Sequence, residues 1–268
     1  MTASRFRLLI SDVDGTLVTP DKLLTTATIE AVKELRRAGI IFAITSSRPP
    51  RGLSVFVEPL QLSTPISAFN GAMVVDPDLR IVAERTVPDD LVQPTIQLLD
   101  DHGLSVWVYQ GEQWLVRDPD GPHIQHESIA VQFEPTSVPN FNSLASDVAK
   151  IVGVSDSAEA MAAARRAMVG AFAQQVAASS SQSYYLDVTH PLANKGTVVD
   201  FLSKKFDIPT SEIAVIGDGH NDVMMFNRAG FSIAMGNGDP EVQRAAHVVT
   251  DTNDAEGFSS AVTNYVLR

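Results

Sequence analysis

Short apolar runs alternate with longer segments whose apolar positions recur every three to four residues, and this rhythm is strongest towards the two ends of the chain. Residues 6–10 read as a buried strand. Residues 25–38 read as a helix, with Ile29, Val32 and Leu35 along one face and Gly39 closing it, and 40–44 as the next strand. Near the other end, 198–206 reads as a helix, 213–216 as a strand, 222–229 as a helix and 231–234 as a strand. Strands this uniformly apolar are buried on both faces, so they belong to one parallel sheet covered by helices.

The middle of the chain follows another rule. Residues 91–101 read as a helix, 104–109 and 113–116 as a hairpin across Gln110-Gly111-Glu112, 157–177 as a long helix and 183–188 as a strand. The apolar stripe Met161, Ala164, Met168 and Phe172 marks the long helix as a packing element. Turn chemistry interrupts the patterns near Pro88 and Pro191. The expected fold class is therefore α/β, a Rossmann-like parallel-sheet core (residues 1–87 and 188–268) carrying an inserted α+β cap (88–187).

The length of 268 residues suits one domain with an insertion, and 44% hydrophobic against 19% charged residues suits a folded enzyme. A formal net charge of -12 repels polyanions, so nucleic acid is not an expected partner. A phosphorylated substrate would also be repelled unless the site supplied a divalent cation, a lysine and backbone N–H groups. The absence of cysteine removes thiolate nucleophiles, thiolate metal sites and disulfides. The apolar stretch at 8–10 is too short for a signal peptide or a membrane span, so the expected location is cytoplasmic with no membrane partner; oligomeric state stays open.

Chemistry concentrates at predicted strand ends. Asp12-Val13-Asp14-Gly15-Thr16 follows the first strand, where open α/β sheets place ligand crevices; alone, it reads equally as an Asp turn. Gly217-Asp218-Gly219-His220-Asn221-Asp222 follows a second such strand, and two acidic clusters at one sheet edge favour a cation. With hard oxygen donors, the implied ion is Mg²⁺, bound by Asp218 with Asn221 and Asp222 able to face the same site. Thr45-Ser46-Ser47-Arg48 delivers hydroxyl and N–H groups to that edge, as a phosphoryl cradle or as a helix N-cap. Lys195, opening a later helix, offers a point charge for a phosphate.

In this order the clusters resemble the haloacid dehalogenase superfamily of phosphatases. Asp12-Val13-Asp14-Gly15-Thr16 is similar to its first motif, Ser46 to its second, Lys195 to its third, and Gly217 to Asp222 with Met225 to its fourth. The layout resembles the Cof-type subfamily, whose large cap lies between the second and third motifs; Phe69-Asn70-Gly71-Ala72 and Ala234-Met235-Gly236-Asn237-Gly238 resemble its strand-end signatures. Ser46-Ser47-Arg48 departs from the usual Thr-Gly-Arg, and Gly236-Asn237-Gly238 from Gly-Asn-Ala.

The resemblance implies a phosphomonoesterase acting on a small phosphorylated metabolite, a sugar or polyol phosphate foremost. Asp12 would attack phosphorus, while Asp14 would protonate the leaving oxygen and later activate water. Asp14 would then need to be protonated at attack, with the like charge of Asp12 raising its pKa. The resemblance also implies Mg²⁺ on Asp12, the Asp14 carbonyl and Asp218, and a substrate set of Ser46, Ser47, Arg48, Asn70, Gly71 and Lys195. Two other readings share these residues: a phosphomutase or phosphotransferase, and a non-catalytic regulator that binds a phosphometabolite. In the cap, Arg117, His123 and His126 are polar candidates for substrate contact.

Overall fold

A computed structural model describes residues 5–180 and 182–268. Its core sheet has five parallel strands in the order Val248–Val249, Phe231–Ala234, Ile213–Gly217, Leu8–Ser11, Ile41–Ile44. Alternation decides what each face holds. Leu9, Ile44, Ala214 and Ile216 pack with Val32 and Leu35 of helix Thr26–Arg37, whereas Leu8, Ile10, Ala43 and Val215 pack with Val198, Val199 and Leu202 of helix Lys195–Phe206. Both faces are thus dry, which is why the strands lack polar alternation. Helix Thr26–Arg37 begins as expected, the Thr25 hydroxyl accepting from the Thr28 N–H.

Two further sheets lie outside the parallel one, the smaller within the first core segment and the larger built mainly from the segment between the core halves. Strands Ile66–Ala68, Met73–Val75 and Ile81–Glu84 form a small antiparallel sheet, joined to the core by a bridge between Thr45 and Ser67. Six strands form the larger one, in the order Ala177–Ser179, Tyr185–Thr189, Val148–Val154, Ser105–Gln110, Gln113–Val116, Thr136–Ser137, antiparallel except for the last pair. Its outer face (Val106, Val108, Leu115, Ile151, Leu186, Val188) is covered by helices Asp89–Asp101 and Ala158–Phe172. Its inner face (Trp107, Tyr109, Trp114, Val152, Tyr185) joins the apolar cluster of the core and so faces the parallel sheet. Among the described residues no helix is long and apolar enough to cross a membrane.

The small antiparallel sheet, strand Val248–Val249 and helix Ile124–Val131 are among the elements the sequence expectation lacks, and three further elements differ from it. The helix expected over 157–177 ends at Phe172; Gln174 takes a positive φ of 63° and Ala177–Ser179 pairs instead with Tyr185–Thr189, so ladder hydrogen bonds override the Ala-rich helical propensity. The helix expected over 222–229 is only Val223–Phe226, preceded by a 3₁₀ turn at His220–Asp222 that is shaped by Asp222 hydrogen bonds to the backbone. The strand Val148–Val154, central in the larger sheet, is an element the sequence expectation lacks. Gly153 within it has a packing reason: a Cβ there would lie 2.8 Å from Leu99 Cδ2 and 2.6 Å from Leu104 Cδ2, beneath helix Asp89–Asp101.

Candidate active site

The register of the parallel sheet assembles the site. Ser11 pairs with Ile216 on one side and Ile44 on the other, so Asp12, Asp218 and the loop from Thr45 leave neighbouring strands at the same edge. Asp12 N–H donates to the Ile216 carbonyl at 2.9 Å, which fixes its backbone as the last rung of the ladder. Lys195 enters from the start of helix Lys195–Phe206, where the Asn194 side chain accepts from Thr197 N–H at 3.1 Å. Its Nζ donates to Asp12 Oδ1 at 2.5 Å and to Asp222 Oδ1 at 2.6 Å. Asp222 Oδ2 in turn accepts from the N–H groups of Asp218 and Gly219, each at 2.9 Å.

Carboxylate oxygens of Asp12, Asp218 and Asp222 lie within 4.8 Å of one another. Burial pushes the Asp12 carboxyl well up against the pull of Lys195, and burial followed by the Asp222 charge pushes Asp218 up to about 6. Lys195 is pushed up by Asp12 and Asp222, which outweigh its burial. The cluster is therefore short of positive charge, and its donors are hard oxygens, the chemistry that suits Mg²⁺. Asp222 accepts three hydrogen bonds, from Lys195 and two N–H groups, whereas Asp12 accepts from Lys195 on one oxygen and Asp218 from Thr16 and Asn237 on one oxygen each, so Asp12 and Asp218 keep the larger acceptor capacity for an ion.

Gly15 sets how closely the two acidic loops approach. It sits at φ +82° and a Cβ there would fall 2.1 Å from Asp218 Oδ2. Gly15→Ala is expected to lose about 1–3 kcal/mol of stability from the backbone strain alone. Displacing Asp218 should also weaken divalent-ion binding, read by calorimetric titration of Mg²⁺ beside a thermal melt. An unchanged melt and an unchanged titration would show that the loops have room.

Asp14 contradicts the expectation of a raised pKa. Burial alone would raise it, but Arg48 Nε and Nη2 each donate to a separate Asp14 oxygen at 2.7 Å and Lys22 Nζ lies 2.8 Å away. Together these hold the carboxyl down to about 2. A bidentate guanidinium and a lysine outweigh the burial that would raise it. Arg48 Nη1 also donates to the Ala130 carbonyl at 2.7 Å, tying this loop to helix Ile124–Val131 of the inserted segment.

The remaining expected residues separate into those lining the cavity and those supporting it. Asp12, Asp14, Ser47, Arg48, Asp218 and Asn221 line it. Ser46 is buried behind them, its hydroxyl accepting from Arg48 N–H at 3.1 Å; the nearby helical turn Pro50–Phe56 starts without a side-chain cap, so Ser46 is not a helix N-cap. Asn70, at φ +55°, accepts from Asn221 Nδ2 at 3.0 Å, and Gly71, at φ +96°, packs against the Asn194 carbonyl; both brace neighbouring loops. Asn237 donates to the Gly15 carbonyl at 2.9 Å, bracing the Asp14 turn.

Of the cap candidates, His126 lines the cavity, whereas His123 stacks on Tyr184 with ring centroids 3.8 Å apart and bonds Asp156 at 2.7 Å. Arg117 is outside, paired with Asp100 over the Phe141 ring. The structure adds Lys22, Glu127, Lys150, Gln182, Tyr184 and Tyr185 to the cavity lining. Lys150 carried a usable signal, a lone charge in the apolar run of 148–154; Glu127 carried none, since helix Ile124–Val131 starts at a His123 in the left-handed region rather than at a capping residue.

The profile of the haloacid dehalogenase-like hydrolase family matches residues 9–262, and the chain belongs to that family. A Bacillus subtilis protein named 5-amino-6-(5-phospho-D-ribitylamino)uracil phosphatase is 22% identical over 262 residues, covering 97% of this chain and 96% of its own length. Pyridoxal phosphate phosphatase of Escherichia coli is 24% identical over 276 residues, covering 97% and 99%. Among solved structures, a haloacid dehalogenase-like hydrolase from Bacteroides thetaiotaomicron matches the fold with a TM-score of 0.87 at 24% identity, over 96% of this chain and 98% of that one.

Proposed function

We propose that the protein is a Mg²⁺-dependent phosphatase of small phosphorylated metabolites, with sugar and polyol phosphates foremost, working through an aspartyl-phosphate on Asp12. The observation that carries this reading is the Asp12 carboxylate, lining the cavity at a strand end with Oδ1 held by Lys195 at 2.5 Å. The relatives named for phosphatase activity on a ribityl phosphate and on pyridoxal phosphate support the substrate class.

Asp12 Oδ2, the oxygen not engaged by Lys195, attacks phosphorus as the bond to the leaving oxygen breaks. Lys195 works against the burial that raises Asp12, so it favours the ionised nucleophile, orients it, and meets charge spreading over the phosphoryl oxygens. The leaving oxygen takes a proton from Asp14. Because Arg48 and Lys22 hold Asp14 ionised, it first takes a proton from solvent water, which becomes favourable once the phosphoryl dianion draws those cations to itself, and then passes that proton to the leaving oxygen. Water then attacks phosphorus, Asp14 takes its proton, and phosphate leaves Asp12 as a carboxylate. Asp12, Asp218 and the Asp14 carbonyl would hold Mg²⁺, which supplies charge neutralisation for the phosphoryl group.

In this reading segment 88–187 is a cap that covers the core edge and meets the leaving group. Release of free phosphate without any added acceptor tests hydrolysis against transfer to a second sugar. Strict dependence on an acceptor would overturn the phosphatase reading. Excess EDTA should abolish turnover and Mg²⁺ should restore it; full rate in the chelator would remove the metal from the mechanism.

A further inference from the structure

The inner face of the six-stranded sheet and helix Ile124–Val131 bring a set of polar groups over the catalytic edge that the chemistry above does not use. Glu127 lines the same cavity as Asp12 and Asp14. The hydroxyls of Tyr109 and Tyr185 point at its two oxygens, at 3.4 and 3.3 Å. Lys150 lies in the same wall, but its charge is already engaged. Its Nζ is 3.1 Å from Asp187, donates to the Ser47 carbonyl at 3.3 Å, and sits 5.2 Å from the Tyr109 ring.

The charges on this wall do not balance. Asp187 is fully buried against Lys150, while no lysine, arginine or histidine among the described residues forms an ion pair with Glu127. Burial pushes the Glu127 carboxyl up, and Asp187 and Asp14 add to that against the pull of Lys150. Burial works against the ionised form of Glu127, while Lys150 and the Tyr185 hydroxyl favour it; as a carboxylate it offers the leaving group an acceptor flanked by two tyrosine hydroxyls and in no ion pair among the described residues. A second anion brought there would meet an uncompensated carboxylate, and one bearing hydroxyls would find a partner for them.

We propose that Glu127 is a specificity-determining residue that accepts hydrogen bonds from hydroxyl groups of the leaving group and turns away monoesters whose leaving group carries a second negative charge. This rests on the phosphatase reading of the site and goes beyond it, because the phosphoryl machinery is common to every phosphomonoester and does not choose among leaving groups. Glu127 acts by acceptance and repulsion together. Loss of a charge-assisted partner changes recognition on the order of tenfold to a hundredfold.

The test compares glycerol 3-phosphate with 3-phosphoglycerate, which differ only in a hydroxymethyl against a carboxylate, with para-nitrophenyl phosphate as an undemanding third substrate. The wild type should favour glycerol 3-phosphate in kcat/KM by tenfold or more. Glu127→Gln, which keeps the shape and removes the charge, should bring the ratio to within about threefold of unity, with KM for 3-phosphoglycerate falling. Glu127→Asp, which keeps the charge, should still disfavour 3-phosphoglycerate. A wild type that prefers 3-phosphoglycerate, or a Glu127→Gln ratio equal to wild type, overturns the role of Glu127. Absence of phosphate release by the wild type from all three substrates would overturn the phosphatase reading itself, a result distinct from turnover with an unmoved ratio.

Discussion

Asp12→Asn is expected to reduce phosphate release by at least about four orders of magnitude while the protein stays folded. The amide is nearly isosteric, so the strand-end position, with its N–H on the Ile216 carbonyl, is kept. What disappears is the nucleophile and one carboxylate of the acidic cluster. Folding should tolerate the change. Lys195 retains Asp222 at 2.6 Å, and removal of one buried negative charge relieves the repulsion that Asp218 and Asp222 exert on Asp12. The measurements are phosphate release by the purified variant and a thermal melt beside wild type. A variant that keeps a hundredth of wild-type activity would mean that another group attacks phosphorus, and the reading of Asp12 would fall.

Four strands of the parallel core were legible because each is short and apolar; the edge strand Val248–Val249, two residues long with Val249 exposed, was not. Leu8, Leu9 and Ile10 are all fully buried, and the chain reaches Asp12 two residues later. Loop identity plus strand direction was enough to bring Asp12, Asp218 and Lys195 to one edge. The long-range partners were not legible. Arg48 on Asp14 joins positions 34 residues apart, and Asp222 under Lys195 joins positions 27 apart, and neither spacing announces a contact.

The pKa of Asp14 shows the cost of reasoning from near neighbours only. Asp12 is two residues away in sequence and argues for a raised value, whereas the fork of Arg48 and the ammonium of Lys22 arrive through folding and reverse the sign. The inserted segment was hardest to read for a related reason. Its sheet has residues that alternate between the outer apolar cluster and the inner face, so Lys150 and Asp187 stand among apolar neighbours in sequence. Helix Ile124–Val131 carries Glu127 and His126 to the cavity with no sequence cap to mark its start.

Lys195→Ala is expected to lower kcat/KM a hundredfold or more and, unlike Asp12→Asn, to destabilise the fold. Lys195 is about 1% exposed and donates to Asp12 and Asp222, so it is the cation directly paired with the buried carboxylates whose oxygens lie within 4.8 Å of one another. Removing one partner of a buried ion pair leaves uncompensated charge and costs about 3–5 kcal/mol. Loss of a preorganised donor at a developing anion costs about 3 kcal/mol in rate, which is roughly a hundredfold. The two effects separate by adding Mg²⁺. A divalent ion neutralises the orphaned carboxylates, so it should raise the melting temperature of Lys195→Ala by more than it raises that of wild type. It should not return the rate, because an ion held by Asp12 and Asp218 does not replace an ammonium at Asp12 Oδ1 and Asp222 Oδ1. Lys195→Met, which keeps the aliphatic stem, should share the rate loss, so that collapse of the cavity is not mistaken for loss of charge. A rate within tenfold of wild type in either variant would show that Lys195 only fills space, and the electrostatic account of the phosphoryl site would have to be withdrawn.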